Sequence, residues 1–206
     1  MSTTRLLLLG AVRIFQPVHG YLLRRELLSW QVEDWAHVKP GSIYSGLRTL
    51  TARALLEELP GDPVSYRLTP DGEVEYQRLL SQALRQPEPG DPTRLLAALC
   101  FVTTLAREEV REALRARALV LEASLSDLAS RVRGVEASRL APAFTAELLH
   151  VTARWVQGER DWVTDVGARI DAGCYRFAGE EAGPDMPLDG VWPPALLTGG
   201  TPSKTA

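Results

Sequence analysis

The stretch KPGSIYSGLRT, residues 39–49, brings hydrogen-bonding side chains to one face of a predicted helix. At 100° per residue, Ser45, Arg48 and Thr49 lie opposite the apolar stripe of that helix. An arginine can bind the O6 and N7 atoms of guanine through two hydrogen bonds, and serine and threonine hydroxyls can bind base edges or phosphate oxygens. A small, polar face with one strong cation therefore suits a helix that enters the major groove of DNA.

Neighbouring residues are expected to contact the sugar-phosphate backbone. Ser42 and Tyr44 flank the polar face, where phosphate oxygens would run. Lys39 precedes the helix N-terminus, an end that favours anions. Arg67 lies in a later strand-like run, where it is either a backbone contact or an ordinary exposed strand residue. A polar outer face is also typical of any solvent-exposed helix, so this segment alone leaves both interpretations open.

This segment lies in the third of three predicted helices. They span residues 5–15, 20–29 and 40–54, and Pro40 marks the first turn of the third. The apolar stripe of the third helix is expected to face the core. Its members are Ile43, Leu47, Leu50 and Ala54.

Two short apolar runs then predict a β-hairpin. Residues 55–59 and 64–68 flank the turn sequence PGDP. Thr69, followed by Pro70, is expected to cap a fourth helix. The order of three helices, a hairpin and a helix predicts a winged helix-turn-helix, and a short wing after such a helix favours DNA binding over a merely exposed helix.

Proline and glycine divide the chain into three parts. RQPEPGDP, residues 85–92, would interrupt any helix or strand and predicts a domain boundary. We therefore expect a DNA-binding domain at 1–86 and a helical domain at 87–178. The Pro/Gly-rich tail at 179–206 is expected to be mobile, with Trp192 as a docking point.

Composition restricts the class of protein. With 206 residues, of which 45% are hydrophobic and 24% charged, the chain is expected to be globular. No apolar run reaches about 18 residues, so no membrane span is expected. Two cysteines are too few for a disulfide framework, which favours the cytoplasm. The net charge of −3 divides into +1 for residues 1–86 and −4 for the rest, a weak asymmetry of the sign expected for an N-terminal polyanion binder.

Motifs that would indicate catalysis are missing from the sequence. It contains no GxSxG elbow, P-loop, HExxH or glycine-rich dinucleotide turn. Its histidines lack partners at metal-ligand spacing, and His19 is expected to make a local hydrogen bond. We expect no enzyme activity, no cofactor and no metal.

A heptad-like seam in the second half predicts helix pairing. Its apolar residues alternate spacings of four and three over nearly three heptads; they are Leu114, Ala118, Leu121, Leu125, Leu128 and Val132. The seam either dimerises the chain or packs inside a hairpin formed by this helix and the next. A two-fold dimer would place two recognition helices about 34 Å apart and predicts a pseudopalindromic operator.

Five motifs in order resemble the PadR family of bacterial transcriptional regulators. They are LLLLGAV in the first helix, HGYLL at 19–23, PGSIYSGL at 40–47, LLEE at 55–58 and YRLTPDG at 66–72. Residues 87–175 are similar to the longer C-terminal region of one PadR subgroup, which forms the dimer and here includes Trp162. The resemblance implies that Tyr21 lies close to the DNA backbone. The family often has proline where Ser45 stands, so base preference is expected to differ from that of relatives.

The resemblance also implies an effector site. Family members that respond to small molecules often bind flat aromatic or hydrophobic compounds near the dimer interface. Trp155 and Trp162 would line such a pocket, although tryptophans at helical spacing more commonly pack in a core or an interface. The sequence thus predicts a homodimeric cytoplasmic repressor released by a small effector. The alternative is a winged-helix module that binds proteins.

Overall fold

The structure is a computed structural model that describes residues 3–138, 142, 144–181 and 183. Most of the predicted tail, including Trp192, lies outside the described residues. The described residues form two compact units that divide between Leu80 and Ser81. The assignment of domains at 1–86 and 87–178 remains a prediction.

The N-terminal unit is a winged helix built around one buried helix. Its helices are α1 (Thr3–Phe15), α2 (Gly20–Ser29), α3 (Val32–Ala36), α4 (Pro40–Ala52) and the first part of α5 (Pro70–Arg85). Every residue of α1 from Leu6 to Val12 is buried. Helices α2 and α4 pack against it, because a helix with one polar face must bury the opposite one.

A three-stranded antiparallel sheet forms the wing. Strands β2 (Leu56–Leu59) and β3 (Ser65–Leu68) make the predicted hairpin, and β1 (Val18–His19) pairs with the other edge of β3. The sequence did not predict β1, since two residues are too few to show alternation. Nor did it predict α3, a five-residue helix between the left-handed residues Gln31 and His37.

The end of α4 differs from the prediction. The helix stops at Ala52, and Ala54 adopts a left-handed conformation with φ of 55°. Ala54 is exposed and does not face the core, because the chain must turn there to enter β2. The other stripe residues, Ile43, Leu47 and Leu50, are buried as predicted.

The start of α5 follows the predicted cap. The Gly72 amide donates to Thr69 Oγ1 at 3.0 Å, and that hydroxyl donates to the Ala54 carbonyl at 2.6 Å. Thr69 therefore both caps α5 and fixes the turn that leads into β2.

The second unit contains α6 (Thr93–Leu99), a 3-10 turn (Val102–Thr104), α7 (Arg107–Ala137) and α8 (Thr145–Asp171). The two long helices run antiparallel. Arg111 at the start of α7 pairs with Asp171 at the end of α8, and Glu136 at the end of α7 lies 3.7 Å from His150 near the start of α8. Leu114, Leu121 and Leu128 of α7 are buried at intervals of seven residues. Residues of α8 are buried at the same interval; they are Val156, Val163 and Ile170.

A buried charge fixes this hairpin to the last turn of α5. The Arg117 side chain is only 2% exposed, and its Nε donates to Glu159 Oε1 at 2.6 Å. Its Nη1 donates to the carbonyls of Ala83 and Leu84, which the helix end leaves without intrahelical partners. Burial lowers the pKa of Arg117, although Glu159 opposes the shift. Removal of Glu159 would leave the charge of Arg117 buried without its ion-pair partner.

Among the described residues, no helix is both long and apolar enough to cross a membrane.

Candidate nucleic-acid interface

Helix α4 is held against α1 so that one face stays open. Pro40 occupies the first turn and Lys39 precedes it in an extended conformation, which is the usual geometry of a helix entry. Gly46 lies against α1, where an added Cβ would overlap Leu8 Cδ1. The absence of a side chain at Gly46 lets the two helices approach closely and turns the opposite face of α4 outward.

The outward face has the composition that the sequence predicted. Gly41, Ser45, Arg48, Thr49 and Ala52 are all exposed. A Cβ added at Gly41 would meet nothing within 4 Å, so the first turn of this face is open. Small side chains of this kind allow a helix backbone to lie deep in a groove about 12 Å wide.

The hydroxyl groups of Ser45 and Thr49, which were predicted to contact DNA, both donate hydrogen bonds to carbonyls of α4 itself. Ser45 Oγ donates to the Ser42 carbonyl at 3.1 Å, and Thr49 Oγ1 donates to the Ser45 carbonyl at 2.8 Å. A hydroxyl oxygen can still accept hydrogen bonds while its hydrogen is used. Both residues are therefore ready to accept from base amino groups, whereas donation to a phosphate requires the local bond to break.

Two cations of this face are available for a ligand. Within the part of the chain that the structure describes, neither the Lys39 ammonium nor the Arg48 guanidinium takes part in a hydrogen bond or an ion pair, and both residues are exposed. An exposed guanidinium without an acidic partner loses no intramolecular bond when it binds guanine or phosphate.

A tyrosine that the sequence analysis missed lies beside Arg48. Tyr66 of β3 is half-buried, and its pKa is raised by burial and then by Glu58, while Arg48 lowers it. A Cβ added at Gly20 would lie 3.2 Å from Tyr44 Cε1 and 3.6 Å from Tyr66 Cε2. Gly20 thus gives the two rings room where α2, α4 and β3 meet, a role visible only once the strand register is known.

The residues predicted to contact the DNA backbone differ in their exposure. Tyr21 projects from the first turn of α2 and is 62% exposed, Tyr44 is exposed and Ser42 is half-buried. His19 makes a hydrogen bond across the sheet and not the local one that was predicted: its Nδ1 lies 2.9 Å from Ser65 Oγ. This bond fixes β1 against β3 next to Tyr21.

The wing is acidic and its arginine is paired. Arg67 Nε donates to Glu57 Oε1 at 2.6 Å, across the β2–β3 register that places these residues opposite each other. Glu58 and Asp62 are also exposed on the hairpin. Arg67 can bind a phosphate only if it leaves Glu57, whereas Lys39, just before α4, and Arg48, within it, need to break no such ion pair.

The predicted dimer and ligand residues lie in the second unit. Leu114, Leu121 and Leu128 pack within the chain, while Ala118, Leu125 and Val132 are half-buried. Trp162 lines an apolar cavity that Trp155 does not line, and Trp155 is 57% exposed on α8. The described residues contain no group of three or more potential metal ligands.

Comparison with known proteins found similarity to solved structures of PadR proteins. PadR of Bacillus subtilis in complex with operator DNA is 24% identical, with 81% of this chain and 98% of that chain covered and a TM-score of 0.35. The same protein in complex with p-coumaric acid is 23% identical, with 82% and 96% covered and a TM-score of 0.35. A PadR-like transcriptional regulator from Bacillus cereus is 17% identical, with 82% and 99% covered and a TM-score of 0.35. Neither a protein-family model nor a curated protein matches the chain.

Proposed function

We propose that the chain is a sequence-specific DNA-binding regulator of bacterial transcription that acts as a repressor in the cytoplasm. The observation that supports this proposal most strongly is the exposed face of α4, whose small polar residues surround Arg48, a cation with no acidic partner among the described residues. The five ordered motifs that resemble the PadR family support the same function.

In the proposed complex α4 enters the major groove and reads base edges with Arg48, Ser45 and Thr49. The remaining predicted contacts hold the phosphates on either side of the groove; they are Tyr21, Lys39, Ser42, Tyr44 and Arg67. Tyr66 supports Tyr44 and Arg48 from β3. The wing contributes least, because Arg67 must first leave Glu57.

The active form is proposed to be a homodimer on a pseudopalindromic operator. Exposed apolar residues on α8 support it: Leu148, Val151 and Trp155 follow spacings of three and four, and Leu148 is 63% exposed. The heptad seam of α7 is largely covered by α8 of the same chain, so the surface left for a second copy includes this stripe. Trp162 and the half-buried seam residues lie within the hairpin that α7 and α8 form.

A small hydrophobic or aromatic effector is proposed to release the repressor from DNA. Trp155 and Trp162 were the predicted contacts, but they lie in different environments, one on the surface and one against a cavity. Trp162 is therefore the better candidate.

Selection from a random duplex library tests the proposal. The purified chain is mixed with the library at low salt, and the retained DNA is sequenced. We expect enrichment of an inverted repeat with half-site centres about one helical turn apart. Retention of no sequence above background would contradict the proposal.

A winged-helix module that binds proteins is the second candidate. The acidic wing favours it, since the hairpin carries Glu57, Glu58 and Asp62, and its arginine, Arg67, is paired with Glu57. A protein partner would tolerate salt better than DNA does, because release of counterions from several phosphates makes DNA binding fall steeply as salt rises.

A further inference from the structure

An apolar cavity of about 240 Å³ lies inside the second unit, among α5, α6, α7, α8 and the segment after α8. Its walls are aliphatic and aromatic side chains, which include Leu99, Val102, Val110, Trp162, Val166 and Phe177. A dry apolar cavity of about 150 Å³ is enough to bind benzene, so this one has room for a molecule of about two rings.

The wall formed by residues 175–180, here called the closing segment, is fixed by contacts with Arg107 and with the backbone around the 3-10 turn. Arg107 Nε donates to Glu180 Oε1 at 2.7 Å, and Arg107 Nη2 donates to the Tyr175 carbonyl at 2.8 Å. The same guanidinium lies 4.9 Å from the centre of the Phe177 ring. The Ala178 amide donates to the carbonyls of Thr103 and Leu105. These bonds fix the closing segment beside the start of α7 and the 3-10 turn, where Tyr175 and Phe177 form one wall of the cavity.

One end of the cavity is polar. Arg169 and Tyr175 both line it, and Arg169 Nε donates to Tyr175 Oη at 2.9 Å. A guanidinium has five N–H donors. In Arg169 only the Nε–H donates to a partner among the described residues. The remaining donors can bind a hydrogen-bond acceptor on a ligand, while the apolar walls bind its body. An apolar cavity with a few polar groups at one end is the usual form of a small-molecule site.

We propose that this cavity binds a small lipophilic molecule of about two rings that carries one hydrogen-bond acceptor facing Arg169. The binding site itself is independent of DNA binding. Its role as the effector site rests on the proposed function. Leu84 also lines the cavity, and its carbonyl accepts a hydrogen bond from Arg117. A bound molecule would therefore contact the last turn of α5.

Calorimetric titration of the full chain with 2-naphthol, without DNA, tests the site. We expect saturable one-to-one binding. Val166→Phe should weaken binding by about tenfold or more, because the added ring occupies the space meant for the ligand. Val74→Phe, the same change at an exposed position of α5, should bind as the wild type does. Circular dichroism establishes that each variant is folded.

Nuclear Overhauser effects keep the test decisive if Val166→Phe does not fold. Contacts between naphthol ring protons and the methyl groups of Val102 and Val166 of the wild type are expected. Absence of saturable binding to the wild type, or equal binding by a folded Val166→Phe variant, would overturn the site.

The effector role is tested separately, by the affinity for the selected operator with and without 2-naphthol. A weaker operator complex, with no such effect in Val166→Phe, supports the role. Binding in the cavity with unchanged operator affinity overturns the effector role and leaves the site in place. If the proposed function is wrong, the result is different: calorimetry still shows binding of 2-naphthol, but the chain selects no operator from the duplex library.

Discussion

At the scale of single residues, Arg48 is the side chain on which base recognition depends most in the proposed interface. Replacement of Arg48 by alanine should weaken binding to the selected operator by about 1–3 kcal/mol, because the variant can no longer donate two hydrogen bonds to guanine. Binding to unrelated DNA should weaken much less. Fluorescence anisotropy titrations with the operator and with a scrambled duplex measure both.

Arg53→Ala is the matched control, since it removes the same charge from an exposed arginine just beyond the end of α4. It should leave the ratio of operator affinity to scrambled affinity unchanged. An equal loss on both duplexes for Arg48→Ala would make Arg48 a phosphate contact and remove base recognition from this position.

The sequence predicted which of Ser45, Leu47 and Arg48 in α4 are exposed and which is buried, but it did not predict the contacts of the neighbouring strands. Helical periodicity alone separates Arg48 and Ser45 from the buried Leu47, because a helix repeats every 3.6 residues whatever surrounds it. The ion pair of Arg67 with Glu57 could not be predicted, since it depends on the register that the hairpin turn sets. The same register places Tyr66 beside α4, which is why its part in the interface was missed.

At the scale of elements, Gly72 lets the start of α5 pack against the turn that leads into β2. A Cβ there would overlap the Leu55 carbonyl oxygen, which already accepts from the Thr69 amide. Gly72→Ala should lower the free energy of unfolding by about 2–4 kcal/mol, because backbone and not a flexible side chain must move. Urea unfolding followed by circular dichroism measures the change.

The control for Gly72 is Gly134→Ala in the exposed part of α7, where an added Cβ meets nothing within 4 Å. This change should raise the free energy of unfolding by about 0.5–1 kcal/mol, which is the difference in helix propensity. Similar effects of the two substitutions would contradict the close approach at Gly72.

Glu75 connects α1 with α5 and makes their pairing depend on pH. Hydrogen bonds from Arg78, and then from Arg5, lower its pKa from 4.5 despite partial burial. A lowered carboxyl pKa stabilises the fold above the pKa of the unfolded chain, and this contribution is lost as pH falls through the folded pKa. Glu75→Gln should therefore cost about 0.5–1 kcal/mol at pH 7, reduced by the partial exposure of the pair.

The cost of Glu75→Gln should disappear as pH falls below 4.5 toward the lowered pKa. Urea unfolding of both proteins across that range measures the difference. Glu33→Gln, which makes the same change at an exposed residue of α3, is the matched control. A cost that stays constant as pH falls would show that the lost interaction is not one of charge.

The element boundaries also show the limits of prediction from sequence. Pro40 and Thr69 mark the starts of α4 and α5 correctly, because caps and first-turn prolines act within a few residues. The early end of α4 at Ala52 is set by the path into β2, a tertiary constraint with no local signal. The seam of α7 was evident in its spacing, but the partner that covers it is α8 of the same chain.

At the scale of the whole molecule, the exposed apolar stripe on α8 predicts self-association. Leu148→Glu should shift the chain from dimer to monomer, because a charge would be buried between the two copies. Sedimentation velocity at several protein concentrations measures the shift. Val74→Glu, at an exposed apolar residue of the N-terminal unit, is the control and should remain dimeric. A wild type that stays monomeric would contradict the dimer, and a dimeric Leu148→Glu would contradict this surface.

The salt dependence of operator binding is the most direct test of whether the chain binds DNA phosphates through α4. The affinity for the selected duplex is measured by anisotropy over a range of potassium chloride concentrations. We expect a linear fall of log affinity with log salt. The slope should be shallower by about 0.9 for each phosphate that a variant such as Lys39→Ala no longer neutralises. Affinity that does not change with salt, or no binding even at low salt, would contradict DNA binding through α4.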